Sequence, residues 1–119
     1  MKLWIDDVRP APEGYIWCKT VNIAKTVIID CEAFNHGGLD EMDFDWLDFL
    51  GLNDTGTIDL IDIDHDAGDY ANEGGDYIKL LDWLEKTGRN YPIRIHSMNP
   101  VGRENMRTII KRNGWTEVF

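Results

Sequence analysis

The chain has 119 residues and a formal net charge of −10, a length that suits one domain with a core of its own. The negative balance argues against broad contact with a nucleic-acid backbone, and no apolar run is long enough to span a membrane. Cys18 and Cys31 fit no metal-ligand spacing and lie in apolar periodic segments. They read as buried free thiols of a reducing compartment, which makes a cytoplasmic location the expectation.

Residues 2–5 read as a short strand that closes in Asp6-Asp7. Two prolines and a glycine mark 7–14 as a loop. Residues 15–19 are aromatic and apolar and predict a second strand. Thr20 or Asn22 can cap a helix running to about Phe34, with Ile23, Val27, Ile28 and Cys31 on its inner face. Residues 35–38 break it. Residues 39–50 mix acids with apolar residues at 3–4 spacing and predict a short amphipathic helix within an acidic insertion at about 36–56. A turn at 53–56 precedes a third strand over 57–63. Gly74-Gly75 then opens a helix over 76–86 whose inner stripe is Tyr77, Leu80, Leu81 and Leu84, with Gly88 as its stop. Residues 92–96 predict a fourth strand. Asn99-Pro100 is a cap followed by proline at the first helical position. That helix should run to about Arg112 with Val101, Met106, Ile109 and Ile110 inward, and Gly114 ends it. Residues 115–119 form a last strand. Strands alternating with helices imply an α/β domain with a mostly parallel sheet and right-handed crossovers.

Three of these strands end in polar clusters: Asp6-Asp7, Asp64-His65-Asp66 and His96-Ser97. Ligands of α/β sheets bind at the carboxyl ends of strands. Asp6, Asp7 and Asp64 on one edge would repel one another unless a cation neutralised them, and oxygen ligands favour Mg²⁺, Mn²⁺ or Ca²⁺. The rival reading is that two of the three merely cap strands. Residues 62–73 also place acids at positions 1, 3, 5 and 12 of a calcium loop. That match fails at position 6, where Ala67 replaces the required glycine, and the segment leading in reads as strand rather than helix.

His65 and His96 each stand at a strand end. Together they could serve as acid and base on a phosphodiester, although either alone would read as structural. His36 reads as a surface residue. The helix start at Asn99-Pro100 presents free amides to an anion, with Ser97 just before it and Arg103 one turn in. Arg9 could reach the same side, and a surface ion pair is the alternative for both arginines. Charge is divided along the chain: sixteen acids and one base lie between Asp30 and Asp82, but seven bases and three acids from Trp83 onward. The basic part suits a small phosphate-bearing ligand; the acidic part also reads as a solvated surface.

Asp6-Asp7, Asp64 and Ser97, each after its own strand, resemble the receiver domains of response regulators. There the acids bind Mg²⁺, the third-strand aspartate accepts a phosphoryl group and the hydroxyl contacts it. The segments from Trp4 to Pro12, from Asp64 to Gly68 and from His96 to Met106 resemble more closely a divergent branch, the cyclic-phosphate-processing receiver-like domains. The resemblance spans the chain except about 36–56. It implies a flavodoxin-like, mostly parallel five-stranded sheet of order 2-1-3-4-5 in a single domain over 1–119. It also implies a phosphoesterase-like function: divalent-cation-assisted hydrolysis or recognition of a cyclic phosphate on a nucleotide or RNA end. Asp6, Asp7 and Asp64 would hold Mg²⁺ or Mn²⁺, His65, His96 and Asp64 would carry the chemistry, and Arg9, Ser97, Asn99 and Arg103 would hold the phosphate.

There are departures. The lysine that ends a receiver's fifth strand has no counterpart in Thr116-Glu117-Val118-Phe119, which argues against a phosphoacceptor at Asp64. The last receiver helix is also missing, and the first is reduced to the proline-rich loop. The sheet face those helices cover then needs residues 39–50 or a second copy of the chain, since both faces of a parallel sheet are normally buried. A non-catalytic receiver-like signalling or interaction module is the alternative function.

Overall fold

The computed structural model describes residues 1–35, 58–66, 68, 72 and 74–119. The expected acidic insertion and its helix over 39–50 lie outside the described residues. The described elements are β1 (Lys2–Ile5), β2 (Tyr15–Cys18), α1 (Val21–Asn35), β3 (Leu60–Ile63), α2 (Ile78–Lys86), β4 (Ile93–Ile95), α3 (Pro100–Asn113) and β5 (Glu117–Val118). The strands form one sheet in the order β2-β1-β3-β4-β5, and every pairing is parallel. β2 runs parallel to β1 although the loop between them is short. No helix follows β5 among the described residues.

Handedness explains how the sheet is dressed. From β2 to β3, β3 to β4 and β4 to β5 the chain moves across the sheet in one direction, so right-handed crossovers place α1, α2 and α3 on one face. From β1 to β2 it moves the other way, so the loop 6–14 crosses the opposite face. The two faces differ accordingly. Leu3, Ile5, Ile61, Ile63 and Ile93, matched across the register, are fully buried under the helices. The alternate positions on the same strands hold Lys2, Trp4, Leu60, Asp62 and Arg94.

Helix ends follow local chemistry. Thr20 Oγ1 accepts the Ile23 amide at 2.9 Å, which makes Thr20 the cap of α1. The Asn99 side chain accepts the Gly102 amide at 3.1 Å to start α3. Gly114, at φ +67°, takes the left-handed turn that closes α3, where a side chain would be strained. The predicted stripe of α2 is buried throughout. Two inward assignments need correction. Ile23 is 44% exposed and Val101 is 70% exposed; at 100° per residue each lies about a quarter turn or more off the buried stripe of its helix. Val21 and Ala24 fill the inner face of α1, and Gly102 that of α3. Both cysteines are buried and neither is in a disulfide, as expected. Among the described residues no helix is long and apolar enough to cross a membrane.

Candidate functional site

Backbone pairing continues one residue past the strands and sets three side chains abreast. The Asp6 amide donates to Cys18 O at 3.3 Å, the Asp64 amide to Ile5 O at 2.9 Å and the His96 amide to Ile63 O at 3.0 Å. Strand periodicity then puts Asp6 in line with Trp4, Asp64 with Asp62 and His96 with Arg94, on the face away from the helices. One donor atom from each of Asp6, Asp64 and His96 lies within 4.8 Å of the others.

His96 is fixed on three sides. Its Nδ1 meets Asp62 Oδ1 at 2.6 Å and its Nε2 meets Asp6 Oδ2 at 2.9 Å. Its ring stacks on Trp4 with centroids 4.0 Å apart and planes inclined by 4°. Trp4 is itself tied by its indole N–H, which donates to Arg9 O at 2.9 Å. Trp17 donates in the same way to Asp6 O at 2.7 Å. Burial works against a charged His96, but hydrogen bonds and attraction from Asp62 and Asp6 outweigh it and hold its pKa above the ordinary value. Burial likewise pushes Asp6 upward. The amides of Arg9 and Val8, which donate to Asp6 Oδ1, together with His96 bring it below the usual carboxylate range.

Asp62 is fully buried, and its Oδ2 has no hydrogen-bond partner among the described residues. The nearest cation is Arg94, with Nη1 at 3.7 Å, too long for a hydrogen bond. Asp62 would be position 1 of the calcium loop. It is a β3 residue whose Oδ1 is held by His96; the rest of that loop lies largely outside the described residues.

Asp7 is the third member of the expected carboxylate set. Burial raises its pKa, and the negative charges of Asp6 and Asp64 raise it further. Gly68 turns close against it at φ +55°; a Cβ there would lie 2.3 Å from Asp7 Oδ2. Crowded carboxylates with a nitrogen donor beside them suit a divalent cation in both charge and donor type. Asp6 and Asp64 each place one carboxylate oxygen in the group. The third donor that groups with them is His96 rather than Asp7.

His65 lies elsewhere. Its amide donates to Asp64 Oδ1 at 2.7 Å, and its Nδ1 contacts Asp66 Oδ1 at 2.8 Å. The ring packs on the first turn of α3, where a Cβ on Gly102 would come within 2.4 Å of His65 Cγ. His65 thus sits toward the helix layer and His96 on the opposite face, with different partners. Ser97 is buried, and its Oγ accepts the Asn99 amide at 3.1 Å. Arg9 and Arg103 are exposed, and neither side chain is ion-paired among the described residues.

Trp4, Asp62 and Gly102 were not marked as site residues by the sequence. The period-two rule carried a signal for the first two: Trp4 shares a strand face with Asp6, and Asp62 interrupts an apolar strand. Gly102 carried none, because its role depends on a ring from another element.

A family model described as the cyclic-phosphate processing receiver domain matches residues 1–112. No curated protein and no solved structure matches the chain. Parallel strands in the order 2-1-3-4-5, acids at their carboxyl edge and a match over nearly the whole length lead to one conclusion: the chain belongs to the cyclic-phosphate processing receiver domain family.

Proposed function

We propose that this domain is a cation-assisted phosphoesterase that opens cyclic phosphates on nucleotides or RNA ends. The observation that carries the reading is the Asp6, Asp64 and His96 donor set at the sheet edge, next to the start of α3. A divalent cation bound there would supply electrophilic stabilisation of the phosphate's negative charge. The remaining work falls to side chains. The amides of Gly102 and Arg103, expected to be free for an anion, are taken by Asn99, so Ser97, Asn99 and the guanidiniums of Arg103 and Arg9 would hold the phosphate. His65 would take a proton from the attacking water at Nε2, while Asp66 holds its Nδ1. As the bond from phosphorus to one ribose oxygen breaks, His65 would return that proton to the leaving oxygen, giving a phosphomonoester. Assigning both proton transfers to His65 narrows the expected histidine pair, since Asp62 and Asp6 occupy both nitrogens of His96.

A phosphoacceptor role for Asp64 finds no support at β5. No lysine stands there, and Glu117 is bound to Arg107 at 2.9 Å. The test is turnover of a 2′,3′-cyclic nucleotide with Mg²⁺ or Mn²⁺ present. The parent should release the monoester, and His65→Ala should lower the rate by roughly 10²-fold or more. Binding without product would support the non-catalytic module instead. Equal rates in parent and variant would remove His65 from the mechanism.

A further inference from the structure

Asp62 is costly where it stands. A carboxylate in the middle strand of a sheet, fully buried and with Oδ2 lacking a hydrogen-bond partner among the described residues, carries a large desolvation penalty. Leucine or isoleucine would fill the same strand position without that cost. Its one side-chain hydrogen bond among the described residues is with His96 Nδ1, at 2.6 Å, and Arg94 Nη1 lies 3.7 Å from Oδ2.

The other side of the ring poses a matching problem. If Nδ1–H donates to Asp62, a neutral His96 presents a lone pair at Nε2. That lone pair faces Asp6 Oδ2 at 2.9 Å, and two acceptors at this distance need a positive centre between them. A proton can fill that role, and so can a metal ion. Neighbouring ligands of an octahedral ion with bonds of about 2.1 Å lie roughly 3 Å apart, which is the spacing found here. Asp64 adds a second carboxylate to the same cluster. Trp4, stacked on the ring, keeps Nε2 aimed at it.

We infer that His96 is a metal ligand through Nε2, that Asp62 is the positioning residue that orients it through Nδ1, and that the site therefore selects a first-row transition ion over Mg²⁺. The inference rests on the cation site proposed above and refines it. Carboxylates that back a ligating histidine fix its tautomer and raise its basicity. A nitrogen donor favours transition ions, whereas Mg²⁺ prefers oxygen alone. Asp6 and Asp64 then supply the oxygens, and the ion takes the place of the Nε2 proton.

The experiment uses the full chain with Mn²⁺ or Mg²⁺ alone. Calorimetry should show Mn²⁺ binding at least about tenfold tighter than Mg²⁺. Pulsed electron paramagnetic resonance of the Mn²⁺ complex should show coupling to a directly bound ¹⁴N that is absent in His96→Gln. Asp62→Asn, close in shape to the parent, should weaken Mn²⁺ by about 10-fold or more and leave Mg²⁺ nearly unchanged. A general loss of structure would lower both affinities together, so the Mn²⁺ to Mg²⁺ ratio isolates the positioning role. Mn²⁺ bound without nitrogen coupling, or a ratio unmoved by either variant, would overturn the inference and leave the all-oxygen cation site intact. Failure of the parent to bind either ion would overturn both.

Discussion

The two faces of the central strands are built on opposite terms. Under the helices, Leu3, Ile5, Ile61, Ile63 and Ile93 form a layer in which each residue adds a similar increment and none depends on one partner. Across the same backbone, Trp4, Asp62, His96 and Asp6 form a chain of specific contacts. The first face loses stability in proportion to the volume removed. The second is sensitive to which member is removed, because each residue makes its neighbour's burial tolerable.

The sharpest test of that contrast is His96→Leu. It strands Asp62 in the sheet and should cost about 3–5 kcal/mol in denaturant unfolding. The double variant Asp62→Leu with His96→Leu removes both charges and should recover most of that loss. A double variant as unstable as the single one would show that the network stabilises the fold outright. Ile61→Ala, on the helix side, should cost about 2–5 kcal/mol, and no second substitution on that face should restore it. Gly102→Ala separates stability from function. Alanine gains about 1 kcal/mol of helix propensity, yet its Cβ meets the base of the His65 ring, a clash that rotating the ring about its own axis does not relieve. Unfolding should therefore change little while turnover falls toward that of His65→Ala. The smallest effect concerns Cys18, whose thiol burial pushes up to about 12 from 9.0. Native protein keeps this proton where the unfolded chain loses it, so the thiol's contribution to stability falls as pH rises from about 9 to about 12. Iodoacetamide at pH 9 should label Cys18 only after denaturant is added.

Much of this was legible in the residues. The apolar runs, the cap at Asn99-Pro100 and the polar strand ends marked the elements and the edge where they meet. The common edge followed because each polar cluster closes its own strand; the strand order came from the resemblance to receiver domains. Helix faces were less legible. Ile23 and Val101 were assigned inward, but the buried stripes are centred on Val21, Ala24, Val27, Ile28 and Cys31 and on Gly102, Met106, Ile109 and Ile110. A small residue such as Ala24 or Gly102 gave no apolar signal for that phase. The histidines were harder still. Both end strands, so both pointed to one phosphate. A step of one residue along the chain reverses the face, and His65 follows Asp64 directly, whereas His96 stands level with it. That single step sends one ring to α3 and the other to Asp6 and Asp62.

The stacked pair of Trp4 and His96 also makes the site visible to light. An indole lying cofacial with an imidazole at 4.0 Å is an electron donor beside an acceptor whose strength depends on its charge. Exchange of the Nε2 proton for a metal ion should therefore change the emission of Trp4. The difference between the parent and Trp4→Phe would report occupancy of the sheet edge without a label, a substrate or a product.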